Sequence, residues 1–204
     1  MRILPILPSD DDESVEFDMT FIGVAGMIDP PRKEVADSVR ICRRAGIRTI
    51  MITGDHKATA LTIAKELDIY RKGNTVISVE DLDAMTDDEL DDAVKTTTVF
   101  ARVSPSDKLR IIQSLKRSGE VVAMTGDGVN DSPALKAADI GVAMGVTGTD
   151  VAKDAADMIL LDDSFTTIAC AIKEGRRVYR NIQKVIQFLL VGNIAEIMTL
   201  FIAT

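Results

Sequence analysis

Ile50-Met51-Ile52-Thr53-Gly54-Asp55 and Val122-Ala123-Met124-Thr125-Gly126-Asp127 share one form: an apolar run, then Thr-Gly-Asp, then a helical pattern. Apolar runs that end in a glycine turn and open a helix are the repeating step of parallel sheets, because parallel strands need a crossover between them. Working outward, the alternation recurs. Phe21–Met27 predicts a strand, and about Arg32–Ala45 a helix ended by Gly46. Ile47–Ile52 is the next strand, followed by a helix over about Lys57–Leu67 with Ala60, Leu61, Ala64 and Leu67 on one face. Val76–Val79 is short and extended, and Asp83–Val94 predicts an acidic surface helix. Thr97–Arg102 is a strand; Ser104 then caps a helix with Pro105 in first position, Asp107 completing a capping box, and Leu109, Ile112 and Leu115 on its buried side. Val121–Met124 predicts a strand, Pro133–Ala138 a short helix, and Ile140–Met144 and Met158–Leu161 further strands. From Ser164 onward the pattern is helical to the end of the chain. Right-handed crossovers over these elements give an α/β fold with a doubly wound parallel sheet. In such sheets ligands sit at the carboxyl ends of the strands, so both Thr-Gly-Asp turns are expected at one sheet edge.

With 204 residues and 46% hydrophobic content, the chain is long enough to bury one core. Aromatics are only 4% and Trp is absent, so interior volume must come from Val, Ile, Leu, Met and Ala, which suits a parallel sheet covered by helices. A net charge of −8 argues against nucleic acid as a partner, since that surface is basic. The acidity fits either a Mg²⁺-dependent domain or a solvated acidic surface. Cys42 and Cys170 have no metal spacing and read as structural thiols in a reducing compartment. Met1–Pro8 is too short for a signal peptide and is followed by the acidic run Asp10–Glu13, so residues 1–20 read as a flexible, solvated segment.

Thr125–Asp131, TGDGVND, places Asp127 and Asp131 four residues apart around a two-glycine turn, with Asn130 between them. Hard oxygens on a tight loop suit Mg²⁺, which takes one or two carboxylates plus phosphate and water; an ordinary Asp-Gly turn is the other reading. Thr53-Gly54-Asp55 offers backbone N–H groups and a hydroxyl to an anion, or Asp55 is simply a helix cap. Lys108 lies in the first turn of its helix, where the macrodipole disfavours a cation. It reads either as an exposed lysine or as one whose ammonium reaches a phosphate at the same sheet edge. Arg102, ending the preceding strand, is placed to do similar work on a nucleotide.

Together, Thr53-Gly54-Asp55, Lys108 and Thr125–Asp131 resemble the second, third and fourth motifs of the haloacid dehalogenase superfamily. With ARVSPSDK at 101–108 and GVTGTDVAKDAADMILLDD at 145–163, the resemblance is to P-type cation-transporting ATPases of calcium-pump type. It covers about Phe21 to Thr204 and includes Asp29-Pro30-Pro31-Arg32. What it implies is ATP-driven phosphoryl transfer through an aspartyl-phosphate. Asp127 would bind Mg²⁺, with Asn130 and Asp131 supporting metal and phosphate from behind. Thr53, Gly54 and Lys108 would hold the phosphoryl oxygens, Asp55 would complete its motif, and Arg102 and Lys108 would lie near the ATP. The family's nucleophile is the Asp of an Asp-Lys-Thr-Gly-Thr sequence, which these 204 residues lack. Asp18, in Phe-Asp-Met-Thr, has no matching neighbours and is set aside. The polypeptide alone is therefore expected to form no phosphoenzyme. Its sheet, without the nucleophile's strand, is expected to be incomplete, with two open edges that favour aggregation.

Val185–Thr204, VIQFLLVGNIAEIMTLFIAT, has the length of a membrane span. Lys173, Arg176, Arg177, Arg180 and Lys184 precede it against Glu174, a bias that puts the preceding domain on the cytoplasmic side. Asn193 and Glu196 share one helix face inside this apolar segment. An acidic residue at mid-bilayer costs roughly 2.5–3.5 kcal/mol and marks function, unless the Glu snorkels or the helix does not span. After Gly175-Arg-Arg-Val-Tyr-Arg-Asn181, the pair resembles the fifth membrane helix of calcium-type pumps, where the matching positions bind the transported cation. The organisation expected is a partial phosphorylation domain over 21–163, a cytoplasmic stalk over 164–184 and a transmembrane helix over 185–204. Its partners would be the nucleotide-binding and actuator domains, the other membrane helices and the N-terminal half of a multi-pass pump. A soluble phosphatase of the superfamily would need its own Asp-x-Asp and no apolar span; a non-catalytic remnant of a pump gene, or an interaction module on the same half-domain, is the third reading.

Overall fold

The computed structural model describes residues 20–23 and 30–203. Residues 20–23 carry no regular secondary structure, and the rest of the strand predicted over 21–27 lies outside the described residues, as do Asp18 and Asp29. From Pro31 onward the chain forms one unit of alternating helices and parallel strands. Helix α1 (Lys33–Arg44) leads into β1 (Met51–Thr53), α2 (Lys57–Glu66) and β2 (Thr75–Ser78). Helices α3 (Val79–Ala84) and α4 (Asp87–Ala93) precede β3 (Thr97–Ala101) and α5 (Pro105–Arg117). Then follow β4 (Ala123–Gly126), α6 (Ser132–Ala137), β5 (Ile140–Met144), α7 (Asp150–Ala155), β6 (Met158–Leu160) and α8 (Phe165–Ala203).

The strands form two three-stranded parallel sheets, in the orders β1-β3-β2 and β4-β5-β6. Helices cover both faces. Along β3 the side chains alternate, as a pleated strand requires. Val99 and Ala101 pack toward Val39 of α1 and Ala60 and Ala64 of α2, whereas Phe100 packs toward Ile111 and Ile112 of α5. The Phe100 cluster also holds Met124 and Ala143, so the two sheets share one core. Fully burying a side chain of this kind contributes about 1.5–3 kcal/mol.

Four expectations are corrected. The strand predicted over 47–52 is regular only at Met51–Thr53, where β3 supplies the ladder. The acidic stretch is two helices, because Thr86 opens a new capping box with Glu89. It is also no mere surface excursion: Leu82, Leu90 and Val94 are fully buried, and Arg110 of α5 donates to the Leu82 and Met85 carbonyls. On α5, Ile111 and Ser114 join Ile112 and Leu115 inside, while Leu109 is only partly buried. Ser114 is tolerated there because its hydroxyl donates to Asp91 of α4 at 2.6 Å. Of the two thiols, Cys42 is buried, but Cys170 is exposed and contributes nothing to the interior.

Helix α8 is continuous over 39 residues, about 58 Å at 1.5 Å per residue, against a bilayer core of about 30 Å. Ala169 is buried against the domain; from Lys173 onward every described residue is exposed, including Phe188, Leu190, Ile194, Phe201 and Ile202. This helix is long and apolar enough to cross a membrane.

Candidate functional site

Among the described residues, strands β1 and β4 are each at the border of their sheet, with a partner on one side only. Their carboxyl ends open onto the same cleft, of about 330 Å³, lined by Ile52, Thr53, Gly54, Lys108, Met124, Thr125, Gly126, Asp127, Asp131 and Met144. Both Thr-Gly-Asp turns therefore meet at one sheet edge.

The β4 turn is rigidly built. Gly126 is buried, and a Cβ there would lie 2.5 Å from Cβ of Asp131, so only glycine lets the strand pass this close. Asp131 is 7% exposed. Its Oδ2 accepts from the Asp127 and Gly128 backbone N–H groups, each at 3.3 Å, which closes the loop from inside. Its Oδ1 receives the Lys108 ammonium at 2.5 Å. A cation in the first turn of α5 opposes the helix dipole, and the nearly buried Asp131 carboxylate offsets that penalty. The capping box that starts α5 fixes where Lys108 begins: Ser104 N–H donates to Asp107 at 2.8 Å, and Asp107 N–H to Ser104 Oγ at 3.3 Å.

The β1 turn is tied differently. Thr53 Oγ1 donates to Asp55 at 2.9 Å and accepts from the Asp55 N–H at 3.1 Å. Arg102 N–H donates to the Asp55 carbonyl and Val103 N–H to that of Thr53, which stitches this turn to the end of β3. Arg102 sits at φ 58°, a left-handed backbone that a non-glycine residue adopts only when its surroundings hold it there. Its guanidinium is half exposed, 4.0 Å from Glu80.

Of the residues singled out in the sequence, Thr53, Gly54, Lys108, Asp127 and Asp131 line the cleft. Asp55, Arg102 and Asn130 are exposed outside its lining. Asn193 and Glu196 lie far along α8, one turn apart and exposed. Sequence reasoning missed Ile52, Met124 and Met144 as lining residues; as apolar strand-end residues they carry no chemical signal of their own.

Asp127 is exposed, and its carboxylate has no donor among the described residues. No group of three or more His, Cys, Asp or Glu side chains gathers for a metal among them. A single free carboxylate beside a satisfied one fits Mg²⁺, which keeps most of its water and shares phosphate oxygens, and does not fit an all-protein cage.

The haloacid dehalogenase-like hydrolase description matches residues 5–139, and a second of the same kind matches 108–172. The chain belongs to the haloacid dehalogenase-like hydrolase family. Within this family its likeness is to P-type ATPases. This haloacid dehalogenase-like chain is 55% identical over 193 residues to calcium-transporting ATPase 1 of Bacillus cereus, an alignment covering 95% of the chain and 22% of that protein. P-type sodium-transporting ATPase4 of Toxoplasma gondii is 49% identical over 198 residues, covering 91% of the chain and 15% of that protein. The solved structure of a zinc-transporting PIB-type ATPase in its E2.Pi state superposes with a TM-score of 0.59 at 29% identity, covering 76% of the chain and 21% of that structure. The chain thus spans about a fifth of the length of the curated relatives it matches.

Proposed function

We propose that this chain supplies the magnesium- and phosphate-binding part of the phosphorylation domain of an ATP-driven cation pump that works through an aspartyl-phosphate. The observation that carries the reading is the meeting of Thr53, Gly54, Lys108, Asp127 and Asp131 around one cleft between two open strand edges. Asp127 would hold Mg²⁺, which when bound offsets the negative charge of the transferring phosphoryl group. Asp131 sets the loop that presents Asp127 and shares its own charge with Lys108. The Lys108 ammonium and the Thr53 hydroxyl, with the backbone of Gly54, face the phosphoryl oxygens, and their placement before reaction is the source of rate. The nucleophilic carboxylate comes from a further strand that pairs with β1 and β4, whose open edges border the cleft. Arg102, at the end of β3, contacts the nucleotide, and Asn130 supports the metal loop.

Residues 21–163 form the phosphorylation part, 164–184 a cytoplasmic stalk and 185–204 a span, the last two being one helix, α8. Asn193 and Glu196 on that helix bind the transported cation. Calcium is the cation favoured, from the name of the Bacillus cereus relative. The nucleotide-binding and actuator domains and the other membrane helices of the pump are the partners. A soluble phosphatase leaves the exposed apolar length of α8 without a role.

The test is a Mg²⁺ titration of the 204-residue chain in detergent, followed through the amide signals of 125–131. Mg²⁺ is expected to shift these signals in the wild type and to lose its effect in Asp127→Asn. An equal response in Asp127→Asn overturns the assignment.

A further inference from the structure

The start of α8 is joined to the metal loop by a chain of contacts in which one carboxylate does most of the holding. Asp163, two residues before α8, turns back onto the loop between β5 and α7. Its Oδ1 accepts from the backbone N–H groups of Gly145 at 2.6 Å and Val146 at 2.9 Å. Its Oδ2 accepts from the Thr147 N–H at 2.7 Å and the Thr147 hydroxyl at 2.8 Å. Three successive N–H groups and a hydroxyl converging on one carboxylate form an anion nest, here filled by the protein's own side chain. Asp163 is held at φ 48°, and its carbonyl accepts from Arg32 at 3.2 Å.

The loop continues directly to the candidate site. Gly148 folds so tightly that a Cβ there would lie 2.0 Å from the Met144 carbonyl oxygen. The next residue, Thr149, donates its N–H to the Asp127 carbonyl at 2.8 Å and caps α7 by accepting from the Ala152 N–H at 3.3 Å. The peptide that carries the Asp127 carboxylate is thus gripped on one side by Asp131, through its own N–H, and on the other by the loop that Asp163 organises. Asp162 anchors the same junction from the helix side, accepting from the Ser164 N–H at 3.1 Å and the Thr167 hydroxyl at 2.6 Å.

We propose that Asp163 is a positioning residue for Asp127: by fixing the Gly145–Thr149 loop it sets the direction of the metal-binding carboxylate and ties it to the root of α8. The proposal rests on the assignment of Asp127 to Mg²⁺. Groups that orient a metal ligand without touching the metal matter because a misdirected ligand must reorganise before it binds. Asp163 does not line the cleft that holds Lys108 and Asp131; it borders a neighbouring pocket of about 270 Å³ together with Asp127, Met144 and Thr147, and its hydrogen bonds toward Asp127 run through the loop.

The experiment uses the full 204-residue chain in detergent, with Mg²⁺ as the probe and two readouts: hydrogen exchange at the amides of 145–149 and Mg²⁺ affinity. In Asp163→Asn one oxygen becomes an N–H₂ group that cannot accept from Thr147. Exchange at Thr147 and Thr149 should then quicken, and Mg²⁺ binding should weaken by about 10-fold, the lower end for loss of a ligand-orienting group. Amides of β3, remote from the loop, should exchange as in the wild type. Thr147→Val removes only the hydroxyl and should give a smaller change in the same two readouts, while Thr147→Ser restores both. Faster loop exchange with unchanged Mg²⁺ affinity in Asp163→Asn makes Asp163 a structural residue only and overturns the proposal. If Asp163→Asn does not fold, unchanged exchange and affinity in Thr147→Val overturn it. A wild-type chain that binds no Mg²⁺ overturns the metal assignment of Asp127 itself, which the other outcomes leave standing.

Discussion

The two Thr-Gly-Asp turns have the same letters and different physics. At β4 the glycine is buried against Asp131, the aspartate that follows has no donor among the described residues, and the loop is closed by a nearly buried ion pair. At β1 the glycine is exposed, a Cβ on it would meet nothing within 4 Å, and the aspartate is spent on its own threonine. The second turn is a buried mount for a carboxylate, and the first is an exposed one for a hydroxyl. Under the proposed function the site holds a metal and admits a phosphoryl group, and one part of each kind suits that work, since metal ligands tolerate little misplacement.

The strongest way to break this contrast is to remove the support beneath the β4 turn. Asp131→Ala strands the Lys108 ammonium at 18% exposure and leaves two loop N–H groups without their acceptor. Breaking one side of such a pair costs about 3 kcal/mol, which denaturant unfolding should read as a lower midpoint. The same experiment on Asp55→Ala, at the exposed turn, should show well under 1 kcal/mol. A smaller effect sharpens the comparison directly. Gly126→Ala forces a methyl group into Asp131 and should cost about 2 kcal/mol as overpacking, whereas Gly54→Ala has open space and should stay within about 0.5 kcal/mol of the wild type. Equal costs at the two glycines would erase the difference between the turns.

The smallest effect is expected in acid, and it separates the loop behind the β4 turn from both. The Val146 N–H, then the Thr147 N–H and hydroxyl and the Gly145 N–H, hold the Asp163 carboxyl down at about 2 against the opposing effect of burial. A carboxyl whose folded value lies below its unfolded value of about 3.9 contributes stability that is complete above that value and is lost as the pH falls. For Asp163 the loss runs from about pH 4 to about pH 2. Asp81, held to about 2 by the Ser78 N–H, the Ser78 hydroxyl and Lys57, adds to the same window. Acid titration of Asp163→Asn should therefore show a shallower loss of stability below pH 4 than the wild type.

Local rules were legible at most places where both partners are close in sequence, the Thr86–Glu89 capping box being an exception. Ser104 and Asp107 are three residues apart, and the predicted capping box is present. The apolar runs, the turns after them and the continuous α8 follow from side-chain period and from a stretch after Lys184 whose one charged side chain is Glu196. The other errors fall where a distant partner changes what a position can hold. Ser114 is tolerated in the interior because Asp91 reaches it from α4. Thr-Gly-Asp was readable as a pair of turns, but the letters could not say which aspartate would be free.

The sequence by itself determined the parallel α/β architecture, the long apolar helix and the polar residue types that meet at the cleft. These depend on period, turn chemistry and charge, which are properties of neighbours along the chain. Only the tertiary structure decided that Lys108 is committed to Asp131, that Asp127 is left unpaired at the cleft among the described residues, and that Asp163 reaches back to hold the loop behind it. Those outcomes depend on how far apart in the chain two groups are when packing makes them adjacent, and no local preference encodes that distance.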